Sequence, residues 1–423
     1  MAVRRQIEFV REAVTDGTDR VRPILWLVVP LLAVCWNLVE AAERVVGDVS
    51  LTEDAALFYY SGRQWVQAGR VPYRHLWDIK PPLIHETAAA LALLTGGDPF
   101  ATYVVGNALN VAALLGGVAA GMVAVRELTD SRVAGATVGV ACLALPQLFA
   151  RIVTGLRPKY VVVLLLGLVL LTGVRERWVA AGGLAAATAG FWQPGLTVLV
   201  AVLATVWWGV SRGDIPSKVG DRTVLAIVGV ALVAVVPVAV GGALPELIVQ
   251  AVVAPLVTAD TGVTGKAVVE SVHPTLLPLA ALGTVAVGVR ATERARWWPG
   301  LFLAAFALVM LSGDFDGVAD LIPLSFLVAV GAGAAVGAAA PTEPRALSSD
   351  PRVWLLALVG VWVWLSQPPI VPSRTAGPIR ELFLTNGLEQ RCHLRLSDPE
   401  SQMMRLLDSA PDAPTCWRPD WWP

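Results

Sequence analysis

Charge is what this sequence has least of. Only 15% of its 423 residues are Asp, Glu, Lys or Arg, while 56% are hydrophobic; ordinary soluble domains carry about 25% charged residues. Lysine is scarcer still, with Lys80, Lys159, Lys218 and Lys266 as the whole set and Arg supplying the other cations. No His/Cys grouping has zinc-ligand spacing. No glycine-rich phosphate loop is present, which argues against nucleotide-driven transport. No serine nucleophile motif appears either, against hydrolysis of the soluble type. No period of about 20–50 residues repeats, so a solenoid is excluded. Met1 to Arg22 is polar, and the apolar run from Ile24 has no small-residue cleavage pattern after it, so a cleavable signal peptide is not expected. The formal net charge of −1 says little about partners, because position matters more than the sum.

What the chain has in quantity is apolar sequence, in runs of roughly the length that crosses a bilayer as a helix. The runs predict an all-α polytopic membrane protein with about eleven spans, at about 24–45, 100–125, 133–150, 160–173, 179–191, 195–210, 223–243, 274–289, 298–312, 318–340 and 353–366. Residues at about 1–23 form a cytoplasmic segment, about 24–366 the membrane domain, and about 367–423 a small extracytoplasmic tail. The orientation rests on short connections. Arg126, Arg132, Arg175, Arg177, Arg212, Lys218 and Arg222 fall on one side, followed there by Arg290, Arg294, Arg296, Arg345 and Arg352. Arg151, Arg157, Lys159 and Lys266 fall on the other, and the richer side is cytoplasmic. Cys392 and Cys416 in the tail would then face an oxidising compartment and are candidates for a disulfide. Cys35 and Cys142 lie within spans and read as packing residues.

The densest chemistry lies in a first extracytoplasmic loop at about 46–99, since groups so polar are costly in hydrocarbon. It carries Glu53, Asp54, Arg63, Tyr73, Arg74, His75, Asp78, Lys80 and His85. Leu83–Thr95 is apolar but too short to span, and follows Pro81-Pro82; it reads as an interfacial helix. The same side gathers Arg151, Arg157, Lys159 and Tyr160, then Trp192 and Gln193, then Glu246, Asp260, Lys266, Glu270 and His273, and finally Asp314, Asp316 and Asp320. A lipid-linked phosphate presents itself at this boundary. A carboxylate there can take the proton of an attacking hydroxyl, and cations can hold the charge gathering on a departing phosphate. Asp54 is the candidate base, with Glu53 next in line. Lys80, held by a stiff Lys-Pro-Pro element, and Arg157 and Lys159, flanking a second proline, are candidate phosphate ligands, with Arg63 as a further one. Tyr73, Arg74, Asp78, His85, Trp192 and Gln193 are candidates for the sugar or acceptor pocket. Plain structural readings stand beside these: a solvated boundary Asp54, headgroup anchoring by Arg157 and Lys159, a packed or capping His85, and an interfacial Trp192.

Asp54, then Gly69-Arg70-Val71-Pro72-Tyr73-Arg74 and Trp77-Asp78-Ile79-Lys80-Pro81-Pro82-Leu83, resemble the membrane glycosyltransferases of the GT-C superfamily. The branch is that of protein O-mannosyltransferases and aminoarabinose transferases. Gly155-Leu156-Arg157-Pro158-Lys159-Tyr160 is similar to a segment of haloarchaeal dolichol-phosphate-mannose mannosyltransferases. The resemblance implies a GT-C-like fold, a polyprenyl-phosphate sugar donor, an extracytoplasmic active face and inversion at the anomeric centre. By it Asp54 matches the catalytic Asp and Lys80 the lysine at the lipid phosphate. Many members carry a second acid in the second outer loop, where this chain has Arg157-Pro158-Lys159.

The expected function is therefore transfer of a sugar, mannose above all, from a dolichol-phosphate donor to a lipid- or protein-linked glycan. No nucleotide is needed and no nucleic acid is a partner. A divalent metal stays open, without ligand spacing to support it. The alternatives are a transporter or flippase of a lipid-linked saccharide, or an inactive scaffold homologue. Transport sites lie near the bilayer midplane between repeated halves, whereas these ionisable groups collect at the outer surface.

Overall fold

The computed structural model describes residues 25–38, 50–51, 53–149, 151–255, 280, 321–339 and 376–378. The architecture is helical. Helix α1 covers Leu25–Leu38, α2 Glu53–Ala68, α3 Pro82–Leu94, α4 Pro99–Thr129, α5 Arg132–Leu143 and α6 Pro158–Val174. Then come α7 Trp178–Phe191, α8 Leu196–Arg212, α9 Ser217–Val240, α10 Leu244–Val253 with a π-helical second half, and α11 Ile322–Ala339. Ser50–Leu51 and Ala376–Pro378 make a two-stranded antiparallel pairing beside the start of α2.

Three helices among the described residues are long and apolar enough to cross a membrane: α4, the 193–212 segment containing α8, and α9. Helices lie where the sequence predicts spans at α1 and at α4 through α9, and again at α11. The expected span at 133–150 stops at Leu143 and is followed by a 3-10 turn at Pro146–Leu148. The expected spans at 298–312 and 353–366, and all of 274–289 apart from Ala280, lie outside the described residues. So do Cys392, Cys416, Asp260, Lys266, Glu270, His273, Asp314, Asp316 and Asp320.

The core sits where α4, α5, α6 and α11 pack together, with α7 joining through α6. Leu114, Val118 and Met122 of α4 meet Val162 and Leu166 of α6 there, all fully buried. Small residues let α4 and α6 close up: a Cβ on Gly117 would lie 2.7 Å from the Val163 carbonyl oxygen, as in membrane helix pairs packed on small residues. α9 lies at the edge of the bundle against α7, with Leu225, Leu232 and Val233 exposed. That apolar face is what lipid contact requires.

One expectation is corrected. Glu53–Ala68 is not loop but a 16-residue helix. Its charge and aromatic content hide a helical stripe: Ala55, Phe58, Tyr59 and Gly62 follow the i, i+3, i+4, i+7 pattern, and the first three are buried. Asp54 in the first turn suits the positive end of the helix dipole. The helix ends at Gly69, in the left-handed region at φ 65°, where the Arg70 N–H returns to the Gln64 carbonyl. The loop proper is therefore residues 69–81, between α2 and α3.

α2 and α3 lie against each other at the closest backbone approach of this region. A Cβ on Gly62 would stand 2.4 Å from the Ala88 carbonyl carbon, so only glycine fits. α3 starts as the prolines dictate, with Pro81 extended at its N-cap and Pro82 as its first residue. At 13 residues it rises about 20 Å, too short to span.

Candidate active site

Two segments flank α2, and each is held by polar side chains distant in sequence. The first is the 69–81 loop that carries Lys80. Tyr73 is its pivot, with φ 70°, a conformation a bulky residue adopts only where surroundings enforce it. The Tyr73 hydroxyl donates to the Lys80 carbonyl at 2.7 Å. Burial drives the Tyr73 phenol well above its ordinary pKa, and the Asp78 and Glu86 carboxyls add to this, so it remains a donor. The Lys80 N–H donates to Asp78 Oδ1 at 3.0 Å. Gln250 of α10 closes the loop: its Nε2 donates to the Tyr73 carbonyl at 2.6 Å, and its Oε1 accepts from the Asp78 N–H at 3.0 Å. Gln193 Nε2 donates to the Ile79 carbonyl. Both backbone groups of Lys80 are thus fixed while its half-buried side chain stays in no ion pair among the described residues.

The second segment, Arg151–Arg157, leads into α6. Asn110 of α4, fully buried, donates to the carbonyls of Ile152 at 3.1 Å and Gly155 at 2.7 Å and accepts from the Arg157 N–H at 3.0 Å. Asn107 accepts from the Gly155 N–H at 2.9 Å, and the Tyr103 hydroxyl donates to the Val153 carbonyl at 2.6 Å. Gly155 has φ 95°, which an L side chain would strain. The Tyr59 hydroxyl of α2 accepts from the Leu156 N–H at 2.7 Å, so the segment is tied to both α4 and α2.

The second segment brings Arg157 to Asp54, in the first turn of α2. Arg157 Nη1 donates to Asp54 Oδ2 at 2.9 Å. The Arg157 side chain is 4% exposed and that of Asp54 27%. Burial lowers the guanidinium pKa from its ordinary value and Asp54 pulls it back up; it stays charged. Its Nε is buried with no hydrogen-bond partner. The fork therefore spends one arm on the carboxylate and keeps another donor unspent. Lys159, two residues on and buried, holds Nζ 5.6 Å from the centroid of the Trp192 ring, a cation–π distance.

The remaining candidates separate. Arg63 is not part of this cluster: nine residues beyond Asp54 on α2, it lies on the opposite face and about 13 Å along the axis, bonded through Nε to Gln67 at 2.9 Å. Arg74 is exposed. Tyr73, Asp78 and His85 do not line a pocket as the sequence suggested: they are buried, and their polar atoms face the Lys80 backbone, Ser61 and, between His85 and Asp78, each other. His85 is fully buried, with Nδ1 2.7 Å from Ser61 Oγ and Nε2 3.3 Å from Asp78 Oδ2. Trp192 is buried as well. Among the described residues no three His, Cys, Asp or Glu gather as metal ligands, so no chemical step is assigned to a metal. Sequence reading missed Asn107, Asn110, Ser61 and Gln250. The signal for three of them was available: lone carboxamides inside apolar runs, which buried polar groups make costly unless partnered. Ser61 carried none.

Three comparisons bear on this arrangement. Residues 69–236 match the DolP-mannose mannosyltransferase family model, a stretch that includes Lys80, Arg157, Lys159 and Trp192. The dolichol phosphate-mannose mannosyltransferase of Haloferax volcanii is 27% identical over 87% of this chain and 91% of its own. The crystal structure of ArnT from Cupriavidus metallidurans bound to undecaprenyl phosphate superposes with a TM-score of 0.53 at 18% identity, over 92% of this chain and 72% of that one. Its apo form gives 0.52 at 19%, over 90% and 72%. The fold is like that of ArnT, and residues 69–236 are similar to the DolP-mannose mannosyltransferase family, in agreement with the resemblance carried by the Lys-Pro-Pro loop.

Proposed function

We propose that this protein transfers mannose from dolichyl-phosphate mannose to a lipid- or protein-linked glycan on the extracytoplasmic face, with inversion and with Asp54 as general base. The observation that carries the proposal is the 2.9 Å contact between Asp54 and Arg157, because it sets a carboxylate and a phosphate-binding cation within one side chain of each other. The acceptor hydroxyl gives its proton to Asp54 as its oxygen attacks the anomeric carbon from the face opposite the phosphate. The bond from that carbon to the phosphate oxygen breaks, and its electron pair leaves on dolichyl phosphate. The charge gained there falls to Lys80 and to the Arg157 guanidinium, as charge-assisted donors to phosphate do. Lys159 lies in the first turn of α6, at the positive end of that helix's dipole. Glu53 is the reserve base. Trp192, Gln193 and Arg74 remain proposed contacts for sugar or acceptor.

The extracytoplasmic face is favoured by the arginine bias of the short loops, which also sets the N-terminus inside and the 367–423 tail outside. The deciding experiment is mannose transfer by purified protein in liposomes, from dolichyl-phosphate mannose to a short lipid-linked glycan, with wild type and Asp54→Asn compared and with EDTA as a further arm. Transfer that collapses in the variant supports the reading. Equal transfer would move the base to Glu53, and no transfer from any donor would leave the flippase or scaffold reading standing. Loss on chelation, restored by a divalent ion, would add a metal.

A further inference from the structure

We propose that His85 is the positioning residue of the donor-phosphate lysine, acting on Lys80 through Asp78; the inference rests on the reading of Lys80 as a phosphate ligand. Ser61, His85 and Asp78 form a buried line from α2 through α3 into the loop. Ser61 Oγ lies 2.7 Å from His85 Nδ1, His85 Nε2 lies 3.3 Å from Asp78 Oδ2, and Asp78 Oδ1 takes the Lys80 N–H at 3.0 Å. The residue types are those of a hydrolase triad, but Ser61, His85 and Asp78 are 3%, 0% and 3% exposed, so no substrate reaches the hydroxyl. The line is a strut.

Its physical necessity comes from Asp78. One oxygen of that buried carboxylate holds the Lys80 backbone, and the other lies 3.3 Å from His85 Nε2 without aligning as a hydrogen bond. A buried carboxylate needs such a partner. A carboxylate across from Nε2 calls for an N–H there, which leaves Nδ1 to accept from Ser61. The imidazole cannot turn away, because Phe58 and Tyr73 meet it edge-on at 5.8 Å and 5.3 Å between centroids. Tyr73 is the residue whose hydroxyl holds the other end of Lys80. His85 therefore braces both groups that fix the lysine backbone, and a tilt of that backbone moves the ammonium away from the phosphate.

The test is a double-mutant cycle on steady-state transfer, reading the donor KM and kcat separately. His85→Leu takes the imidazole away from Asp78 Oδ2 and is expected to raise donor KM by about tenfold or more, with kcat at saturating donor little changed. His85→Gln, whose terminal N–H reaches toward the same oxygen, is expected to stay within about threefold of wild type. On a Lys80→Ala background, His85→Leu should add nothing further to donor KM, since its effect runs through that lysine. A KM unchanged by His85→Leu, or one that rises equally on both backgrounds, overturns the proposal. If Lys80→Ala itself leaves donor KM unchanged, the phosphate role of Lys80 fails instead, and the two failures are told apart. Should His85→Leu not fold, Ser61→Ala enters the same cycle: a smaller KM rise that Lys80→Ala absorbs supports the strut, and no rise overturns it.

Discussion

Asp54 and Arg157 stand 103 residues apart in sequence and 2.9 Å apart in space, with the cation the more deeply buried of the two. A guanidinium that close stabilises a charged carboxylate. The pair joins α2 to the mouth of α6, so on the proposed function catalysis and stability share one contact.

Asp54→Asn is therefore expected to lower transfer by about 10²–10⁴-fold, the range of a lost general base, with donor KM little changed. The assay is mannose transfer in liposomes at saturating acceptor.

The same variant leaves the buried Arg157 charge uncompensated. Breaking a fully buried pair costs about 3–5 kcal/mol; with Asp54 27% exposed, solvent screening reduces that to about 1–2 kcal/mol. Asp54→Asn should melt below wild type in detergent. Asp54→Asn with Arg157→Met should recover most of the loss, because the orphaned charge is gone. A double variant no more stable than the single one would show that the pair does not couple.

Gln250→Leu tests the loop clasp. The change deprives the Tyr73 carbonyl and the Asp78 N–H of their partner, each at about 1–3 kcal/mol when left buried. Faster hydrogen exchange confined to residues 69–81 and a raised donor KM are expected. Global destabilisation with unchanged loop protection would assign Gln250 to packing alone.

The apolar runs made most of the described bundle legible: α4, α6, α7, α8 and α9 lie where hydropathy sets spans, because in lipid the backbone has no option but helix. The candidate site showed its charged members in the sequence and little of its scaffold. Asp54, Lys80 and Arg157 stand out as ions beside membrane segments, yet much of what holds the Lys80 and Arg157 backbones is neutral: Asn110, Gln250 and the Tyr73 hydroxyl. Spacing cannot show that Asn110 meets residue 157 or that Gln250 meets residue 78, since those pairings exist only after α4 and α10 have packed. α2 was hidden for another reason. A helix buried on one side against protein, not lipid, keeps its polar face, and its composition then looks like loop.

The last prediction concerns Glu86, beside His85 on the non-spanning helix α3. Burial pushes its carboxyl up to about 7, and its Oε1 is buried without a hydrogen-bond partner. The native state thus binds a proton here that the unfolded chain, at its ordinary carboxyl pKa, has released. Where the native state holds more protons, stability falls as pH rises. The contribution is neutral below the unfolded carboxyl range, becomes unfavourable as pH climbs above it, and reaches its full cost above about 7. Glu86→Gln keeps the shape and removes the titration. Its melting temperature should match wild type near pH 4 and exceed it progressively toward pH 8. A difference that stays constant across that window would mean that the Glu86 carboxylate is solvated when charged, and that its burial in α3 costs nothing.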